Sequence, residues 1–162
     1  MRRSSWLLAN LSVLFLSVPA LQAAEPSVVG LWRFEKEVDT RADGTRVYVG
    51  PKDGYNGFLI YTNDGRMMVQ IMPRGRTWRR SSVTPEQLRE TVEAGDAYFG
   101  RYTIDSAAGT VTHHVEGSLD PSDEGTQLIR RFRLIGDTLV LSGSWEHDGE
   151  RLGFEITWSR HR

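Results

Sequence analysis

Gly57–Met72 reads GFLIYTNDGRMMVQIM. Apolar runs flank Asn63-Asp64-Gly65, and their residue types suit a pleated surface. Asp64-Gly65 is a favoured pair for a two-residue type I′ hairpin turn, whose central residues both take φ > 0. With that turn, Phe58, Ile60, Met67, Val69 and Ile71 share one face. Leu59, Tyr61, Met68, Gln70 and Met72 share the other, because side chains alternate with period two. The first face is the more apolar and is expected to point inward.

The same alternation extends in both directions. Upstream, VGLWRFEKEV (Val29–Val38) sets Gly30, Trp32 and Phe34 against Leu31, Arg33 and Glu35, and TRVYVG (Thr45–Gly50) follows a RADG turn. Downstream, AYFGRYTI (Ala97–Ile104) joins TVTHHVEG through Asp105–Gly109. TQLIRRFRLI (Thr126–Ile135) joins TLVLSGSW through Gly136-Asp137, and RLGFEITWS (Arg151–Ser159) follows HDGE. One stretch breaks the pattern. SVTPEQLRETVEAG offers Thr84 as N-cap, Pro85 at the first helical position and Gln87 to close a capping box. Leu88 and Val92 make a narrow apolar stripe, and Gly95 is suited to a left-handed helix end. A short helix over about residues 84–94 is expected to cover a barrel end or side. About eight or nine short strands with tight turns and one helix make an all-β, antiparallel barrel or sandwich.

The first 24 residues stand apart. Arg2 and Arg3 precede an apolar run through Leu16 that ends in small residues, the layout of a secretory signal peptide. We therefore expect a signal over 1–24, one domain over 25–162, and export to a periplasm or the medium. The chain has no cysteine, which excludes disulfides, thiolate metal sites and a cysteine nucleophile. Beyond the signal, 18 basic residues face 21 acidic ones, a net charge of −3. That balance does not suit nucleic acid.

Several stretches carry a resemblance. Gly30-Leu31-Trp32 on the first strand looks like the G-x-W signature of lipocalins. GFLIYTNDGRMMVQIM, TPEQLRETVEAGDAYFGRYTID and GTVTHHVEGSLDP…GTQLIRRF resemble the bacterial lipocalin-like domain family over nearly the whole chain beyond the signal. The resemblance implies a single lipocalin-like up-and-down β-barrel with an interior cavity. It implies that Gly30 and Trp32 close one end, with Arg160 in the position of an arginine that packs over that tryptophan. It names no activity, because one fold carries many functions. Asp120–Glu124 departs from the family pattern: acidic residues stand where bulky apolar ones are common. An acidic loop at the cavity mouth disfavours an anionic ligand.

Strand phase selects the candidate site. Val111, His113 and Val115 share a side, which the valines mark as inward; Thr112, His114 and Glu116 share the other. On the neighbouring strands, Tyr98, Gly100, Tyr102 and Ile104, and Leu128, Arg130, Phe132 and Leu134, are read as inward. Tyr102, His113, Arg130 and Phe132 are therefore the candidate ligand-binding residues. His114 and Glu116 lack a third ligand at a diagnostic spacing, so no metal is expected, and nothing indicates another cofactor. Histidine suits proton transfer near neutrality, but no nucleophile–base–orienter signature accompanies His113. Arg74, Arg76, Arg79 and Arg80 surround Trp78; they suit a phosphate-bearing envelope surface or an ordinary solvated loop. The leading expectation is an exported protein that binds a small, mostly apolar molecule in its barrel. The alternatives are a small isomerase, cyclase or hydrolase using the same cavity, and an envelope interaction module with a filled barrel.

Overall fold

The computed structural model describes residues 27–51, 54–147 and 149–162, with the backbone alone for residues 48–51 and 147. The expected signal segment lies outside the described residues. Nine strands run in chain order: β1 (Gly30–Thr40), β2 (Arg46–Pro51), β3 (Tyr55–Tyr61), β4 (Arg66–Pro73), β5 (Asp96–Asp105), β6 (Thr110–Ser118), β7 (Gln127–Ile135), β8 (Thr138–His147) and β9 (Glu150–Arg160). One helix, α1 (Pro85–Glu93), separates β4 from β5, and a 3-10 turn (Pro121–Asp123) separates β6 from β7.

All pairings are antiparallel, and each strand from β3 to β9 pairs with the next. Strand β1 closes the ring. It pairs with β9 from Trp32 to Thr40 along one edge. On its other edge its first residues pair with β3 and its last with β2. Eight strands thus form a closed barrel, with β2 as the extra strand. Closure satisfies the edges that an open sheet would leave unpaired.

The β3–β4 hairpin differs from the expected register by one residue. Tyr61 pairs with Met67, and Leu59 with Val69. Only Gly65 of the turn has positive φ, +81°. Its N–H donates to Thr62 O, and Thr62 N–H donates to Arg66 O. This is a longer loop with a left-handed glycine rather than a two-residue type I′ turn. A slip of one residue swaps the faces of the preceding strand. Leu59 and Tyr61, 0% and 1% exposed, therefore point inward, and Phe58 is exposed.

The helix carries the complete capping box, with Thr84 and Gln87 each bonded to the other's backbone N–H. Gly95 does not take the left-handed conformation; the C-cap is Ala94 at φ −93°. Gly95 is tight for another reason: a Cβ there would lie 3.0 Å from Thr91 O and 3.2 Å from Met72 Sδ. No residue of α1 is buried, and Leu88 and Val92 remain exposed.

The core fills the end of the barrel nearest the first residues of β1. Trp32, Leu59, Val111, Leu139 and Trp158 are all at most 1% exposed, and Val28 and Met67 pack with them. Toward the other end, Leu128, Phe132 and Ile156 pack only partly against this core. That end carries α1, the 3-10 turn and the β8–β9 turn.

Candidate functional site

At one end of the barrel Trp32 and Arg160 pack with the first described residues. Trp32 donates its indole N–H to Val28 O at 2.7 Å. The Arg160 guanidinium lies 4.1 Å over the Trp32 ring. It also donates to Val29 O and Ser27 O, both at 2.9 Å. The stacked cation gains from the ring quadrupole, and the two carbonyls fix its plane. Gly30 makes room for it. A Cβ there would sit 2.7 Å from Arg160 Nη1, and the backbone has φ +137°, which side-chain-bearing residues rarely adopt.

Further along the interior lies a buried polar bridge. His113 is 1% exposed. Its Nε2 is 2.6 Å from the Tyr61 hydroxyl and its Nδ1 is 2.9 Å from the Tyr98 hydroxyl. A neutral imidazole has one donor and one acceptor nitrogen, so one phenol accepts and the other donates. Burial pushes the His113 pKa down to about 3, with the charges of Arg130 and His114 adding to the effect. The ring is therefore neutral near pH 7 and holds two strands' tyrosines rather than trading protons. Burial likewise raises both tyrosines, and leaves them protonated.

Arg130 and Phe132 occupy the inward side of β7, both half-buried. The Arg130 guanidinium lies 4.8 Å over the Phe154 ring. Gly143, on the intervening β8, permits this. A Cβ there would meet the Phe154 ring at 2.8 Å and Arg130 Cδ at 3.6 Å. Tyr102 also faces inward, but its ring leans on Tyr61 with centroids 4.7 Å apart. Its hydroxyl donates to Thr62 O at 2.8 Å. The Tyr102 polar tip therefore belongs to the wall, and the partners of His113 are Tyr61 and Tyr98.

A bulge brings in residues that alternation alone does not reveal. In the β1–β9 ladder Phe34 faces Trp158 and Lys36 faces Thr157, so Glu35 is the extra residue. A bulge reverses the facing of everything beyond it. Glu37 and Asp39, opposite Ile156 and Phe154, consequently turn inward where Lys36 and Val38 otherwise would. Asp96, at the start of β5, and Asp123, in the 3-10 turn, stand at the same end. Burial holds the Glu37 carboxyl up at about 7; Asp39 and Asp96 add repulsion and Arg130 opposes it. Burial holds Asp96 at about 6, with Arg130 lowering and Asp123 raising it. Asp96 is exposed at the first position of β5, so solvent screens its charge and the upward push is weaker there than at half-buried Glu37. Asp39 is 4% exposed and its Oδ1 has no hydrogen-bond partner, while Trp145 bonds to the same carboxylate.

The remaining candidates lie outside. His114 Nε2 is 3.0 Å from Thr103 Oγ1. Glu116 accepts from Arg66 at 2.6 Å and Arg101 at 3.2 Å, a surface clamp across three strands. Arg74 donates to Tyr55 O on β3 and Arg76 to Pro73 O, so Arg74 is held against the neighbouring strand and Arg76 against its own loop. Arg79 and Arg80 are exposed. Beside them Arg76, Trp78, Gln87, Glu90 and Thr91 line a cleft of about 280 Å³.

Comparison with known proteins agrees with this architecture. The family model described as a lipocalin-like domain matches residues 29–161. Among curated proteins, none matches the chain.

Proposed function

The chain belongs to the lipocalin-like domain family, and from that premise we propose that it binds a small, mostly apolar molecule inside the barrel. One observation carries the reading. At the Trp32 end, Trp32, Leu59, Leu139 and Trp158 are at most 1% exposed, whereas Glu37, Leu128, Arg130, Phe132 and Ile156 face inward and keep accessible surface. Partial exposure on an inward face marks a space that the side chains leave unfilled. Apolar walls with a few placed polar groups are the usual make-up of a small-molecule site. The ligand body would lie against Leu128, Phe132, Phe154 and Ile156, and its polar end toward the open end of the barrel, where Arg130, Glu37 and Asp39 stand. His113 would act through the tyrosines it positions.

Arg2, Arg3 and the apolar run that follows support export before binding. Native mass spectrometry of the protein purified from its own host tests the binding reading. A retained small molecule, lost on Phe132→Glu in a folded variant, is the expected result. A barrel that carries nothing and takes up no neutral apolar dye such as Nile red would overturn it. N-terminal sequencing of the exported protein should begin between Leu21 and Glu25.

A further inference from the structure

We propose that the open half of the barrel selects a ligand with a cationic head, an alkylammonium or arylammonium group, held by Asp39, Glu37 and Asp96. This deepens the binding reading above and rests on it. Three elements contribute carboxylates to one end of the interior: Glu37 and Asp39 from β1, Asp96 from β5 and Asp123 from the 3-10 turn. A single described cation faces them, Arg130. Its guanidinium is stacked on Phe154, and no described carboxylate comes within ion-pairing distance of it.

Asp39 supplies the independent sign of a ligand. It lies two residues beyond Glu37 on the same face of β1, opposite Phe154. It is 96% buried by its 4% exposure, and Oδ1 has no partner. A buried carboxylate oxygen without a donor is costly. An ammonium head supplies the donors and the charge that oxygen lacks. Trp145, exposed on β8 and bonded to Asp39, adds aromatic surface beside that carboxylate, which favours a cation over an anion. An anionic head would enter among four carboxylates to reach one guanidinium.

The titration behaviour fits the same assignment. Glu37 and Asp96 are held up at about 7 and 6, so without a cation the cluster is partly protonated near neutrality. A cation drives it to ionise, and binding releases protons. The groups facing this space are Glu37 and Asp39 from β1, Asp96 and Tyr98 from β5, His113 from β6, Asp123 from the 3-10 turn and Arg130 from β7.

The test is calorimetry on the purified protein with three probes of one chain length: n-octylammonium chloride, 1-octanol and sodium octanoate. Octylammonium should bind about tenfold or more tighter than octanol, the range of one charge-assisted hydrogen bond, and octanoate should bind weakest. At pH 6.5, enthalpies in phosphate and in MES should differ in the sense of proton release on octylammonium binding alone. Asp39→Asn and Glu37→Gln should each remove most of the octylammonium advantage and leave octanol binding unchanged. Should Asp39→Asn fail to fold, the Glu37→Gln result and the wild-type proton release decide. Equal binding of the three probes, or tightest binding of octanoate, overturns the cationic-head assignment and leaves barrel binding standing. Binding of none of them overturns both.

Discussion

Gly30, Trp32 and Arg160 show how much one backbone angle controls. Arg160 crosses the space a side chain at Gly30 would occupy, and the Gly30 φ of +137° is itself unfavourable for other residues. Gly30→Ala should therefore cost about 1–3 kcal/mol, more than the usual gain from stiffening the unfolded chain. The cost should shrink in an Arg160→Ala background, where the clash is gone and only the angle remains. A urea double-mutant cycle measures both. Trp32→Ala should cost about 3–5 kcal/mol, as large core truncations do. Tyr61→Phe leaves a buried imidazole nitrogen without its partner, and should cost about 1–3 kcal/mol by the same measurement. The sequence revealed part of this. Valines at two-residue spacing around His113, and Leu128 and Phe132 around Arg130, mark their faces unambiguously. Tyr61 was legible only once the hairpin register was known, and Glu37 and Asp39 only once the bulge at Glu35 was known. Neither a slip nor a bulge leaves a composition signal.

At the scale of elements, the β3–β4 hairpin explains why a favoured turn pair misleads. Asp64-Gly65 can build a two-residue turn, but Thr62 competes. Its hydroxyl bonds to the Asp64 carboxylate and to Arg66 O, and accepts from Arg66 N–H. Such side-chain bonds stabilise a wider loop. Thr62→Val should weaken the hairpin, and faster amide exchange at position 62 and at Gly65, whose N–H groups bond to Arg66 O and to the residue-62 carbonyl, would report it. The helix is the opposite case. Its start was fully legible because a capping box is a local device, satisfied by residues three apart. Its burial was not, because packing depends on what the barrel offers. Thr84→Ala should cost α1 about 1 kcal/mol of local stability, seen as faster exchange within 85–93. Leu88→Gln, by contrast, should leave global stability within about 0.5 kcal/mol, since Leu88 is 48% exposed.

For the whole molecule, the buried ionisable groups set opposing pH trends. His113 is lowered to about 3 in the fold from an ordinary 6.5. Between those values the unfolded chain binds a proton that the native chain does not, so this group makes stability rise with pH. Glu37 is raised to about 7 from 4.5. Across that window the native chain holds the proton instead, so Glu37 makes stability fall as pH rises. Asp96, raised to about 6, acts in the same direction with a much weaker effect because it is exposed and screened by solvent. Each group contributes a slope of at most about 1.4 kcal/mol per pH unit. Below about pH 4 the His113 trend dominates; above about pH 6.5 it is complete and only the fall from Glu37 persists. Stability should therefore peak at mildly acidic pH, between about 4 and 6, and decline toward 7.5. Urea midpoints across this range, in buffers free of amines, measure the curve. Glu37→Gln should flatten the decline on the neutral side and leave the acid side unchanged, while His113→Phe should weaken the acid-side rise alone. A Glu37→Gln protein that still loses stability between pH 6 and 7.5 as steeply as wild type would mean that this carboxyl is solvated and lies outside the buried cluster.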